Sequence, residues 1–262
     1  MSLSPLSNST IVTRLRAAGC VFAEDEAQLL IAAAEGSAEL GRMVDSRVAG
    51  LPLEQILGWA EFCGLRISVE PGVFVPRRRT EFLVRQAAAL ATPQAVILDL
   101  CCGTGAVGAA LGALVGGGEL HAADIDPAAV RCARRNINGQ VHEGDLYDAL
   151  PHTLRGRVDI LAVNAPYVPT DAIGMMPPEA RIHEPRVALD GGADGLDVQR
   201  RVAAEALQWL APGGHLLIET GESQSPQTAE AFTRHGLLAR VVTSDELYAT
   251  VVIGTRPVTR PA

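Results

Sequence analysis

The sequence has no apolar run approaching the ~18 residues a helix needs to cross a bilayer, which argues against a membrane-bound protein. Its five cysteines (Cys20, Cys63, Cys101, Cys102, Cys132) are odd in number and show no Cys-x-x-Cys spacing. That argues against a disulfide framework or a zinc site and for a reducing compartment. The six histidines are scattered without His-Glu-x-x-His or comparable ligand spacing, so no metal is expected. Basic residues are in deficit: Lys and Arg total 22 against 30 Asp and Glu, a net charge of −8. Duplex binding normally needs a basic face, so no stable nucleic-acid complex is expected. The leading Met1-Ser2-Leu3-Ser4-Pro5 lacks the basic-then-apolar pattern of a signal peptide, and the expected location is cytoplasmic.

What is present suits a packed α/β protein. The 262 residues are 48% hydrophobic, much of that alanine and valine, enough for one sizeable domain and a small accessory one. Residues 1–58 read as short capped helices. Asn8 or Ser9 can cap a first helix on Ile11, Val12, Leu15 and Ala18. A second helix is expected over 24–35 and a third over 37–48, and Pro52 and Gly58 bracket a fourth. Too few apolar residues lie here for an independent core, so these helices are expected to pack onto, or recruit, something else. Residues 59–75 alternate in part, with Gly64 inside and a Pro71-Gly72 turn, and read as a β-hairpin linker. A helix is expected from Thr80 or a neighbour to Leu90.

From residue 95 the pattern alternates. Strands are expected over 95–100, 119–124, 140–141, 158–163, 214–219, 238–242 and 248–253, with helices between most of them. Only residues 243–247 separate the last two strands. A parallel crossover needs a dozen or more residues, so these two form an antiparallel hairpin. A doubly wound, mostly parallel seven-stranded sheet with that ending is how class I S-adenosylmethionine-dependent methyltransferases finish; residues 76–262 are the expected domain.

Two stretches carry the chemistry. The first is Asp99-Leu100-Cys101-Cys102-Gly103-Thr104-Gly105 at a strand-to-helix turn, where glycines let a ligand lie against bare backbone. A lone Gly-x-Gly would fit NAD as well. However, Asp124 ends the second strand, where a carboxylate can accept from ribose hydroxyls, and Asp145 follows the third, where it can meet an adenine amino group. Three acids suit a sulfonium cation better than a pyrophosphate, and position 101 is cysteine where the dinucleotide pattern wants glycine. The expected cofactor is S-adenosylmethionine, with S-adenosylhomocysteine as product. Its expected contacts are Asp99, Cys101, Cys102, Gly103, Thr104, Gly105, Asp124, Ile125, Asp145, Leu146, Asn164 and Arg77.

The second stretch is Asn164-Ala165-Pro166-Tyr167, after the buried run Val158–Val163. An amide nitrogen is a poor nucleophile because its lone pair is delocalised. The Asn164 side-chain oxygen and the Ala165 carbonyl can each accept one –NH2 proton and so aim the nitrogen and favour its pyramidal form. Pro166 biases Ala165 toward extended backbone, and Tyr167 can cover the planar group.

With these residues the chain resembles the HemK/PrmC-type protein-glutamine N5-methyltransferases, a family that modifies the Gly-Gly-Gln loop of peptide chain release factors. The likeness also rests on Gln55-Ile56-Leu57-Gly58, Phe62-Cys63-Gly64-Leu65, Val75-Pro76-Arg77 with Thr80-Glu81, and His183–Gly192 with Asp194-Gly195-Leu196. It implies a helical substrate-recognition domain, a hairpin linker, and methyl transfer to the glutamine of a protein substrate, a release factor first of all, by a monomer. Three departures stand out. The usual Asn-Pro-Pro-Tyr is Asn-Ala-Pro-Tyr, the usual Pro-Arg-Pro-Glu-Thr-Glu is Pro76-Arg77-Arg78-Arg79-Thr80-Glu81, and the helical part is short. They leave room for another glutamine substrate such as a ribosomal protein. Arg77–Arg79 with Arg131, Arg134 and Arg135 keep N6-adenine or N4-cytosine methylation of nucleic acid as the alternative.

Overall fold

The computed structural model describes residues 7–258. The Met1–Pro5 segment, on which the expectation about a signal peptide rests, lies outside them. Four helices come first: α1 (Asn8–Ala17), α2 (Ala23–Ala33), α3 (Ser37–Val48) and α4 (Leu53–Leu57). Ser7, not Asn8 or Ser9, caps α1, its side chain accepting from the Thr10 amide. Gly58 closes α4 in the left-handed conformation at φ 77°. Contrary to expectation, these helices close on a small core of their own, with Ile11, Leu15, Ala23, Ala27, Leu30 and Val44 buried together. The side chains needed are short and lie one helical turn apart, so few suffice.

The hairpin is β1 (Trp59–Phe62) paired antiparallel with β2 (Leu65–Ser68). Its turn is Cys63-Gly64, both at positive φ (50° and 73°), a two-residue turn whose twist matches the strands. Pro71-Gly72 instead bends the chain after the hairpin.

There follow α5 (Glu81–Leu90), β3 (Val96–Leu100), α6 (Ala106–Val115), β4 (Glu119–Asp124), α7 (Pro127–Asn136), β5 (Gln140–Glu143) and β6 (Val158–Val163). Then come α8 (Pro178–His183), α9 (Asp197–Trp209), β7 (Leu210–Thr220), α10 (Ser225–Arg234), β8 (Leu238–Ser244) and β9 (Ala249–Thr255). The seven-stranded sheet runs β5-β4-β3-β6-β7-β9-β8. Contacts from β5 to β7 are parallel, and β9 lies antiparallel between β7 and β8. The expected antiparallel hairpin is there, and its second strand, β9, is the one inserted against β7, leaving β8 at the edge.

Alternate strand residues serve opposite faces. Ile97, Ala122, Ile160 and Leu217 pack against α5 and α6 on one side. Leu98, Ala123, Leu161 and Leu216 pack against α9 and Phe232 of α10 on the other. Such burial stabilises by roughly 1.5–3 kcal/mol for each large side chain. No helix among the described residues is long and apolar enough to cross a membrane.

Candidate active site

Sheet order reverses beside β3, where the chain runs outward to β4 on one side and to β6 on the other. Ligands of doubly wound sheets bind at such a point, beyond the C-terminal strand ends. Register decides what meets there. Leu100 pairs with Val163 on one side and with Ala123 on the other. The Cys101–Gly105 turn, Asp124 and Asn164 therefore leave the sheet side by side. Every site residue expected from sequence, Gly105 apart, lines one cleft of about 270 Å³. Gly105 faces inward instead: a Cβ there would lie 2.7 Å from Ile137 Cδ1.

The floor of the cleft is acidic and preorganised. Asp124 accepts from the Gly103 amide at 2.8 Å and the Asp126 amide at 2.9 Å, and burial raises its pKa. Each oxygen keeps a lone pair for a further donor. Asp99 is 1% exposed and accepts from the Gly108 amide at 2.8 Å; burial pushes its carboxyl up to about 7. Asp145 lines the cleft nearer solvent and pairs with Arg201 at 2.7 Å. Cys101, at the position where a dinucleotide pattern wants glycine, has φ 60°. Burial raises the Cys101 and Cys102 thiols well above their ordinary value, so neither is a thiolate nucleophile.

Across the cleft, the Asn164 side-chain NH2 donates to the Thr80 hydroxyl at 3.3 Å. Thr80 is buried at the end of a single 3-10 turn, Arg78–Thr80. In this arrangement the amide nitrogen is engaged by Thr80, and the amide oxygen has no protein donor among the described residues. The Ala165 carbonyl likewise accepts no hydrogen bond within the described residues. Ala165 itself is 1% exposed, its methyl packed in the core beneath the sheet end.

Tyr167 is fixed from several sides. Its hydroxyl donates to Glu219 Oε1 at 3.2 Å, and Gln224 Nε2 donates to its carbonyl at 3.0 Å. Burial and the Glu219 carboxylate push the phenol well up, so Tyr167 stays protonated. The segment 190–195 folds back against this backbone, with Val168 and Asp190 forming a parallel bridge. Gly195, at φ 79°, sits so close that a Cβ would lie 2.3 Å from the Tyr167 carbonyl oxygen. Only glycine fits that approach.

Other motif residues hold the cleft's outer wall. Glu184 accepts from the Val75 amide at 3.1 Å and from Arg77 at 2.6 Å, tying the residues after the hairpin to the segment between β6 and α9. Glu81 accepts from the Cys63 amide at 3.1 Å. Arg77 thus lines the cleft while engaged by Glu184. Thr80, Glu219 and Gln224 were not expected as site residues from sequence, and Arg79 stood out only as part of the Arg77–Arg79 run; their partners lie 52 to 140 positions away. The sole hint of Thr80 was the Thr80-Glu81 motif.

Residues 64–241 match the family described as Methyltransferase small domain. The chain belongs to that family. It is thereby a methyltransferase, of a kind that draws its methyl group from S-adenosylmethionine. The resemblance read from its motifs holds too. The chain is 39% identical over 219 residues to the release factor glutamine methyltransferase of Mycolicibacterium smegmatis, covering 81% of this chain and 77% of that one. It is 36% identical over 203 residues to the 4-amino-L-phenylalanine/4-methylamino-L-phenylalanine methyltransferase of Streptomyces pristinaespiralis, covering 74% and 69%. A methyltransferase structure from Pyrococcus furiosus shares the fold, with a TM-score of 0.56 at 16% identity, over 74% of this chain and 90% of that one.

Proposed function

We propose that the chain methylates the side-chain amide nitrogen (N5) of a protein glutamine, that of the Gly-Gly-Gln loop of a peptide chain release factor, from S-adenosylmethionine. One observation carries the reading. Two acceptors without protein partners, Asn164 Oδ1 and the Ala165 carbonyl, line the same cleft as the strand-end acids. A pair of acceptors on consecutive residues suits a group with two protons on one nitrogen.

The residues present fit the methyl donor. Buried Asp99 and half-buried Asp124 favour a cationic, hydroxyl-bearing ligand, and Gly103 presents bare backbone to the cleft, with no protein atom within 4 Å of an added Cβ. Asp124 would take the ribose hydroxyls, Asp145 with Leu146 the adenine, and Asp99 with the Cys101–Thr104 backbone the amino-acid end, while Ile125 lies alongside. Bound there, S-adenosylmethionine supplies an electrophilic methyl on a sulfonium. The protein's own contribution is to hold and aim the acceptor. Asn164 Oδ1 and the Ala165 carbonyl accept the two amide protons, which draws the lone pair out of conjugation as the bond forms. Tyr167 covers the planar group, and its raised pKa keeps it from acting as a base. The methylated nitrogen is acidic enough to lose its proton without a dedicated base.

The helices α1–α4, with the hairpin as linker, are the proposed recognition surface for the protein substrate. A second reading has a specific support: the Streptomyces relative's name specifies an aromatic amine, another planar –NH2. The test offers labelled cofactor with a release factor, its Gln→Ala loop variant, and 4-amino-phenylalanine. Label on the first alone supports the proposal; label on the amine, or equal label on both proteins, refutes it.

A further inference from the structure

Glu219 is 2% exposed at the end of β7, yet only one of its oxygens is used. Oε1 accepts from the Tyr167 hydroxyl and from Arg79 Nε, each at 3.2 Å, whereas Oε2 is buried with no hydrogen-bond partner. A half-satisfied buried carboxylate detracts from stability, and an apolar side chain would fill the place at less cost. That cost is offset by what Oε1 holds. The Arg79 guanidinium carbon lies 5.7 Å from the centre of the Tyr167 ring, and both residues line the cleft. The ring is therefore held at its hydroxyl by Glu219 and flanked by the cation that neutralises Glu219. Arg79 belongs to the same 3-10 turn whose Thr80 orients Asn164.

We infer that Arg79 and Glu219 are positioning residues for the acceptor group: through Glu219 Oε1 they fix the Tyr167 ring, as Thr80 fixes Asn164. One short turn thereby sets both ends of Asn164–Tyr167. In the function proposed above Tyr167 is the residue that covers the acceptor group; Arg79 and Glu219 act through it. The kinetic consequence rests on the glutamine reading above, and the placement of the ring does not.

Two measurements test the inference. The chain has three tyrosines, Tyr147 buried, Tyr167 in the cleft and Tyr248 exposed, so 3-fluorotyrosine labelling gives three fluorine resonances assignable by Tyr→Phe variants. Glu219→Gln and Arg79→Ala are expected to move the Tyr167 resonance and leave the other two in place, and Arg79→Lys to restore it in part. A Tyr167 resonance unmoved in both variants overturns the inference, whatever the substrate. In turnover with the release factor, each variant is expected to reduce kcat/KM about ten-fold, the scale of one charged hydrogen bond. The affinity for S-adenosylhomocysteine should hold within about two-fold. The Tyr167→Phe/Glu219→Gln double variant should be little worse than Tyr167→Phe alone; fully additive losses contradict action through Tyr167. If the wild-type chain does not methylate the release factor, the glutamine reading fails and the fluorine spectra alone decide this one.

Discussion

Thr80 and Asn164 lie 84 positions apart and meet at 3.3 Å, the threonine hydroxyl accepting from the asparagine amide. With the nitrogen engaged there, Asn164 Oδ1 is left as the end free to accept from a substrate. Asn164→Ala is expected to lower kcat by about a hundred-fold or more, the scale of losing one preorganised polar group at a reacting centre. Cofactor-product affinity should change by less than about three-fold. Thr80→Val should lower kcat by about ten-fold and Thr80→Ser should recover most of it. Single-turnover kinetics with calorimetric binding separate the two effects; equal losses in binding and turnover would contradict the assignment.

Asp124 and Asp145 are expected to differ. Asp124 is held by two backbone amides at the cleft floor, while Asp145 shares its charge with Arg201 nearer solvent. Asp124→Ala should weaken S-adenosylhomocysteine binding about 10–100-fold, the range for charged hydrogen bonds. Asp145→Ala should weaken it less. Calorimetric titration of both variants checks the order, and the reverse order would count against the placement.

Asp99 gives a pH prediction. Burial raises its carboxyl from 3.8 to about 7 in the folded chain. Between about pH 4 and 7 the folded state keeps a proton that the unfolded state has released. The contribution of Asp99 to stability therefore falls as pH rises through that window. Asp99→Asn removes this titration. From pH 5 to pH 8 the wild type should lose roughly 2–3 kcal/mol relative to the variant in denaturant melts. A constant difference between the two would contradict it.

Arg47 holds three parts of the chain together. It pairs with Glu26 of α2 at 2.6 Å, donates to the Leu51 carbonyl at 3.0 Å, and lies 3.4 Å from Glu179 of α8. Glu26 is 8% exposed, so Arg47→Ala leaves a buried carboxylate without its cation. A loss of about 3–5 kcal/mol is expected, with part recovered by Glu26→Gln in the same chain. Equilibrium unfolding measures both; a loss under about 1 kcal/mol would mean that the pair is solvated.

Local signals in the sequence located much of this fold. The apolar runs became β3, β4 and β6, and Asp126-Pro127 opens α7 as a capped helix should. The Gly-Thr-Gly turn and Asn164–Tyr167 were visible because each concentrates its signal in a few residues. What stayed hidden depends on long-range pairing or on irregular chain. The insertion of β9 between β7 and β8 is a matter of sheet order, which hairpin length does not encode. The proline-rich segment between β6 and α9 has no periodicity, so α8 left no trace. Glu219 reads as the end of a strand until Arg79, 140 positions away, is seen beside it. The same pairing explains the unusual Arg79: its charge is taken up by a buried carboxylate.

The central claim is that the cleft presents two acceptors to a glutamine amide. The most direct measurement is mass spectrometry of a release factor incubated with the chain and S-adenosylmethionine carrying a labelled methyl group. The account predicts one added methyl, mapped to the glutamine of the Gly-Gly-Gln loop and lost with Asn164→Ala. Methyl on another residue type, or on that glutamine undiminished in Asn164→Ala, would contradict it.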